Sequence, residues 1–247
     1  MVKFAKENTS WGYDRIQGAP ANLGHSISDQ SIGNILKDHG IDPAPERKAS
    51  TSWSTFVKAH WEVLSAIDFT TIEVWTRQGL TTFYLLFAIE LKSRRVCLAG
   101  CTTNPIEPWM LQIARNLTDC EDGFLREAKY LLLDRDAIFR RNFRNNLESA
   151  GVKPLRLPAR TPNLNAWIER FHRTIKSECL ERMIFFGEDS LRAAIGQFLE
   201  HYHTESNHQG LENRLIKPDK TSLLRDGPVQ CRDRLGGILR YYHRTAA

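Results

Sequence analysis

Between Glu62 and Gly100 the chain contains three runs rich in β-branched and aromatic residues, Glu62–Asp68, Gly79–Glu90 and Arg94–Gly100. The polar breaks between them, at Arg77–Gly79 and Lys92–Arg94, are far shorter than the dozen or so residues that a parallel crossover needs. Consecutive runs must therefore pair antiparallel, as a meander. Downstream the pattern alternates. Pro108–Leu117 sets Trp109, Ile113 and Leu117 at four-residue spacing, with the proline suited to a first helical turn. Tyr130–Leu133 reads as a short strand, about 137–149 as a helix closed by Gly151, and Val152–Leu157 as a further strand. Two long helices are expected at about 163–183 and 188–206. A meander followed by alternating helix and strand predicts an α/β protein, a mixed sheet with helices on both faces.

The segment before the meander has a different character. Trp11–Ile16 leads toward Leu23, Gly24 breaks the run, and Ser28 is placed to cap a second helix carrying Ile32, Ile35 and Leu36 on one face. That arrangement predicts a small helix-turn-helix segment over 1–41, with Gln30, Asn34 and Lys37 left to face solvent or DNA. A proline-rich polar stretch marks a linker at 42–57, followed by a core at 58–220 and a C-terminal tail at 221–247. The chain has 247 residues, 41% of them hydrophobic and 26% charged, which is ample for a buried core. No stretch approaches the roughly 20 apolar residues of a bilayer span, and residues 1–11 lack the apolar centre of a secretory signal. No membrane partner is expected, and a cytoplasmic location is. The five cysteines are odd in number and have no zinc-binding spacing, so they are expected as reduced thiols, mostly in or near the core. Trp53, Trp61, Trp75, Trp109 and Trp167 are expected to build the core as well.

The formal net charge of +5 is only a weak pointer to a polyanion, but its distribution is uneven. Basic and acidic residues balance over 1–50, whereas basic residues outnumber acidic ones by seven to three from Gly151 to Phe186.

Three acids stand where an acid is awkward. Asp68 follows the apolar Ala66-Ile67 at what reads as the end of the first strand, and Asp134 directly follows three leucines. Glu169 lies in the helical run after Pro162, with 34 residues between it and Asp134. Taken singly, each has a plain explanation as a turn cap, an arginine partner or a solvated helix residue. Together, two strand-end carboxylates and one helical carboxylate make an oxygen-rich set suited to Mg²⁺ or Mn²⁺.

The residues that surround these acids, Ala66-Ile-Asp-Phe-Thr-Thr71, Leu133-Asp-Arg-Asp-Ala-Ile-Phe139 and Pro162-Asn-Leu-Asn-Ala-Trp-Ile-Glu-Arg-Phe-His-Arg-Thr-Ile-Lys176, resemble the retroviral-integrase-like (rve) catalytic core of insertion-sequence transposases. The resemblance implies a fold of the ribonuclease H type and DDE-type chemistry: metal-dependent cleavage at a DNA 3′ end, then strand transfer, with two Mg²⁺ or Mn²⁺ ions held by Asp68, Asp134 and Glu169. Asp134 fits the motif better than Asp136, because Phe139 lies five residues beyond it and the spacing to Glu169 is the family's usual one. Arg173 and Lys176 follow Glu169 by four and seven residues, on one helical face. Lys176 corresponds to a basic residue that the family uses against DNA. Asn165, one turn before Glu169, is a candidate to position metal ligands or a phosphate, and Arg135 and Arg160 are candidates for backbone contact. His172 is a weaker candidate, for proton transfer. The flanks extend the likeness: Trp11–His39 resembles the element preceding such cores and His201–Leu211 the one following. Ser206 departs from it, standing where related sequences commonly carry arginine. Further DNA-binding helices usual ahead of Trp11 are not in this sequence. The partners implied are double-stranded DNA, as element ends and as target, and a homo-oligomer on that DNA, in a bacterial cytoplasm and at the nucleoid when bound. Two other readings use the same residues: a hydrolytic nuclease of the same fold, and a DNA-binding remnant without catalysis.

Overall fold

The computed structural model describes residues 1–8, 11, 13–41, 53–157, 165–218 and 227–245. The chain divides into two compact units, Met1–His60 and Trp61–Ala247.

The first unit contains helices α1 (Val2–Glu7), α2 (Tyr13–Ala21), α3 (Asp29–Asp38) and α4 (Trp53–His60). Ser28 caps α3 as expected, its hydroxyl accepting from the Ser31 N–H at 3.3 Å. Ala5, Ile16, Ile32 and Leu36 form a shared core, and Gln30, Asn34 and Lys37 are exposed. The expected linker at 42–57 is corrected at its end. Residues 42–52 lie outside the described residues, but 53–57 belong to α4. The prolines that marked the linker stop at Pro45, and Trp53–His60 holds neither proline nor glycine.

The second unit is built on a five-stranded mixed sheet in the order β3-β2-β1-β4-β5. Strands β1 (Leu64–Thr76), β2 (Gly79–Glu90) and β3 (Val96–Thr102) form the antiparallel meander. Strands β4 (Tyr130–Leu133) and β5 (Lys153–Arg156) add to it in parallel. Helices α5 (Glu107–Leu117) and α6 (Arg141–Ser149) cover one face. Helices α7 (Ala166–Glu178) and α8 (Gly187–Thr204) cover the other. This is the α/β, ribonuclease H-like architecture that the sequence led to.

The period of two along each strand sorts the side chains between these layers. Ile67, Leu86, Ala88, Leu131 and Leu133 join Met110, Ile113, Phe143 and Leu147 in the core under α5 and α6. Phe87 points to the other face, meeting Phe171 of α7 at 5.0 Å between ring centroids, and Phe171 in turn contacts Phe198 and Tyr202 of α8.

Three sequence expectations change here. The first strand runs on to Thr76, so Asp68 lies inside a long strand and not at its end; residues 69–76 continue because each finds a partner in β2. Trp75 is 50% exposed and outside the core, whereas the cysteines do lie mostly in or near it, Cys101 and Cys179 buried and Cys97 partly so, with Cys120 and Cys231 exposed. Finally, 227–245 is no simple tail. It contains a hairpin of β6 (Val229–Arg234) and β7 (Leu239–Arg244). The hairpin is tied to the end of α8 through Glu205, whose side chain is only 1% exposed. Arg234 donates to both Glu205 oxygens at 2.8 and 2.7 Å, Arg232 donates at 3.0 Å, and His201 Nδ1 lies 2.8 Å away. Among the described residues no helix is long and apolar enough to cross a membrane.

Candidate metal and nucleic-acid site

Register explains why the three acids come to one side of the sheet. Asp68 pairs with Phe87, so it shares the face that α7 covers. Parallel pairing of β1 to β4 stops at Ala66–Leu132, and Asp68 sits just past that point, where the two strands part. Asp134 leaves β4 one residue after Leu133, and by alternation takes the side of Leu132, opposite the α5–α6 core. Phe139 anchors the turn that follows. It is buried and meets Phe143 at 5.5 Å and Phe69 at 5.9 Å. Glu169 is presented by the first turns of α7.

Asp68 is partly buried, and its Oδ1 accepts the Phe69 N–H at 2.8 Å. Burial pushes its carboxyl up to about 7; the Phe69 N–H opposes the shift, and the charges of Asp134, Glu169 and Asp136 add to it. Burial also raises Asp134, against a hydrogen bond from the Asp136 N–H at 2.9 Å and with a smaller pull back from Arg156. Asp136 is exposed, and its carboxylate accepts from the Ile138 N–H at 3.0 Å. Asp136 therefore shapes the turn, while Asp134 is the acid nearer the strands.

The donor set is chemically right for a hard divalent cation: carboxylates alone, with the charges of Asp134 and Glu169 both acting on Asp68, so that a cation there relieves both repulsion and desolvation. Their oxygens are not drawn around a common point. Among the described residues no three His, Cys, Asp or Glu side chains form a group that could hold a metal ion.

His172 lies on α7 beneath Asp68, with Nδ1 3.8 Å from Asp68 Oδ2, too long for a hydrogen bond. Burial, with Lys176 adding to it, holds this imidazole down to about 4, so it is neutral at ordinary pH. Its Nε2 is buried without a partner, as is Oδ1 of Asn165, a residue 5% exposed at the start of α7. Asn165 is thus an interior group. Arg173 is exposed and Lys176 partly so, on the same side of α7 as Glu169. Arg135 is exposed, but its Nε donates to the Leu157 carbonyl at 2.9 Å, which ties the turn after β4 to the end of β5. Arg160 lies outside the described residues. The sequence reading missed the turn-forming role of Asp136 and the burial of Asn165. The Asp-x-Asp pattern carries a signal for the first; the second depends on packing that no local pattern reports.

A family model described as "Integrase core domain" matches residues 150–215, a stretch that includes Glu169, Arg173 and Lys176. A search of curated proteins gives no match. Solved structures similar to this chain include the catalytic core domain of BIV integrase, at 15% identity over 63% of this chain and 91% of that one, with a TM-score of 0.42. Another is the HTLV-2 integrase catalytic core domain in complex with magnesium, in a trimeric form, at 14% identity over 63% and 93%, with a TM-score of 0.47. A third is a chain from a simian T-cell lymphotropic virus intasome in complex with the PP2A regulatory subunit B56 gamma, at 9% identity over 74% and 67%, with a TM-score of 0.46. The stretch from Ala150 to Leu215 is thus similar in sequence to integrase core domains, the kind of core that the residues around Asp68, Asp134 and Glu169 resemble.

Proposed function

We propose that this chain is a DDE-type transposase or integrase of the insertion-sequence kind, which frees a DNA 3′ end by hydrolysis and joins that end to a target strand. The observation that supports this reading is the path of the chain: Asp68 pairs with Phe87 on the face of β1 that α7 covers, Asp134 directly follows β4, and Glu169 lies on α7. The integrase core match over 150–215 supports it independently, through Glu169 and its helix.

Asp68, Asp134 and Glu169 would hold two Mg²⁺ or Mn²⁺ ions, which when bound supply activation of the attacking oxygen and stabilisation of the departing one. The chain's own side chains do the rest. The three carboxylates serve as ionised ligands, so the raised Asp68 must give up its proton before it can bind a cation. Arg173 and Lys176 extend the Glu169 face with positive charge, where they would hold a phosphate backbone without reading its sequence. His172 stays neutral and packs under Asp68, which keeps another cation away from the ligand set. Exposed Gln30, Asn34 and Lys37 on α3 are placed to contact DNA in the first unit. Double-stranded DNA, as element ends and as target, is the partner proposed, with a homo-oligomer assembled on it. A bacterial cytoplasmic setting goes with that role.

The test is an assay on labelled DNA carrying the element's own ends, with Mg²⁺ or Mn²⁺ present or withheld, that resolves cleaved from joined products. Metal-dependent joining by the parent and none by a folded Asp134→Asn variant is the expected result. Cleavage without joining would instead identify a nuclease, and DNA binding with no metal-dependent product would leave a binding protein.

A further inference from the structure

A cavity of about 250 Å³ opens in the second unit against α7. Trp167, Arg170, Phe171, Thr174 and Glu178 line it, and these fall on the side of the helix opposite Glu169, Arg173 and Lys176. Arg94, from the turn between β2 and β3, forms another wall. Its backbone is held at φ +62°, a left-handed conformation uncommon for a residue with a side chain and found where surrounding structure enforces it, often at functional sites. Its guanidinium lies 5.1 Å from the ring of Trp61 and 5.6 Å from that of Trp167, two rings that themselves meet edge-on at 5.1 Å. Gly210 comes close on a further side, where a Cβ would lie 3.4 Å from Nη2.

The arginine so carefully enclosed has no anion. Nη1 is buried without a hydrogen-bond partner. Among the described residues no carboxylate lies within ion-pair distance of Arg94 or Arg170. A desolvated cation is costly unless paired, and a second cation on the same cavity adds to the cost. Burial, with Arg170 contributing, holds the Arg94 guanidinium below its usual value. Burial raises the carboxyl of Glu178, the one acid on the wall, and it forms no ion pair with either arginine.

We infer that this cavity is a phosphate subsite, in which Arg94 and Arg170 clasp a single phosphate group. The size favours a group over a whole cofactor, because small-molecule pockets usually run to roughly 300–1,000 Å³. Two arginines on one cavity, the half-buried Arg94 and the exposed Arg170, with Tyr202 and Asn207 also on its lining, suit an oxyanion that offers several acceptor oxygens. The phosphate would be either free or one phosphodiester of a nucleic-acid strand. The site does not use the carboxylates of the proposed catalytic centre, and it stands or falls apart from them.

The experiment is isothermal titration calorimetry on the full chain at constant ionic strength, with inorganic phosphate, a DNA duplex and a polyglutamate peptide as separate titrants. Arg94→Gln and Arg170→Gln each remove one guanidinium, and Arg115→Gln, on α5, is the control. Arg94→Gly is the second variant at that position, since glycine accepts φ +62° without strain. Phosphate-dependent binding should weaken about tenfold for each guanidinium removed, equivalent to about 1.4 kcal/mol, and stay unchanged in the control. Loss seen with inorganic phosphate identifies free phosphate as the occupant; loss confined to the duplex identifies a backbone phosphodiester. If folded Arg94→Gly and Arg170→Gln bind both titrants as the parent does, or if only the polyglutamate peptide binds in an Arg94-dependent way, the inference is overturned.

Discussion

Asp68 shows how much a single residue's behaviour depends on its neighbours. Its carboxyl is raised by burial and by three like charges, so in the absence of a cation its ionised form is the less comfortable one. Asn at this position keeps the shape and the acceptor for the Phe69 N–H while removing the charge. Metal-free Asp68→Asn should therefore melt at the parent's temperature or above it, although it should yield no metal-dependent DNA product. Thermal denaturation followed by circular dichroism checks the first half, and a fall of several degrees would contradict it. The identity of this acid was legible because it follows Ala66-Ile67 within a motif. Its position inside a strand was not, since whether residues 69–76 stay extended is decided by their pairing with β2. Asn165 shows the opposite balance: the motif drew attention to it, but only packing shows it buried with an unpartnered oxygen.

At the scale of elements, β2, β3, α5, β4 and α8 follow local signals and appear close to where periodicity puts them. The hairpin of β6 and β7 does not. Its strands read Val-Gln-Cys-Arg-Asp-Arg and Leu-Arg-Tyr-Tyr-His-Arg, too polar to announce a strand pair, and they are held by an acid about thirty residues away in α8's C-terminal segment. Burial of Glu205 disfavours its charge, but hydrogen bonds from Arg234, His201 and Arg232 outweigh that and bring the carboxyl down from its ordinary value near 4.5 to about 2. A depressed carboxyl stabilises the fold fully above its unfolded value, and the contribution, about 3 kcal/mol, is lost as pH falls from about 4.5 toward 2. Glu205→Gln should thus cost about that much at pH 7 and flatten the acid limb of the stability curve, as urea titrations across pH would read. Hydrogen exchange over 229–244 should quicken in the same variant, because the hairpin loses its tie to α8. Unchanged exchange there would mean that the arginines are held by something else.

At the scale of the whole molecule, two hydrophobic clusters among the described residues share no member: Ala5, Ile16, Ile32 and Leu36 in the first unit, and residues between Ile67 and Val152 in the second. Each cluster is closed within its own unit, so removal of residues 1–60 should leave a 61–247 fragment that unfolds cooperatively within a few degrees of the second unit's transition in the parent. Differential scanning calorimetry of both proteins measures this, and a fragment with no cooperative transition would show that the second unit depends on the first. By itself the sequence determined the kind and order of most elements, the boundary between a helical N-terminal part and an α/β core, and the three acids worth following. Those properties rest on side-chain periodicity, capping and motif spacing, which act over a few residues. The tertiary structure alone decided that β1 carries Asp68 past the end of β4, that Phe87 and α7 share its face, that the last residues fold back as a hairpin, and that Arg94 packs against a pair of touching tryptophans. Register, helix docking and desolvation depend on what stands opposite a residue, and partners tens of residues away leave no trace in its own neighbourhood.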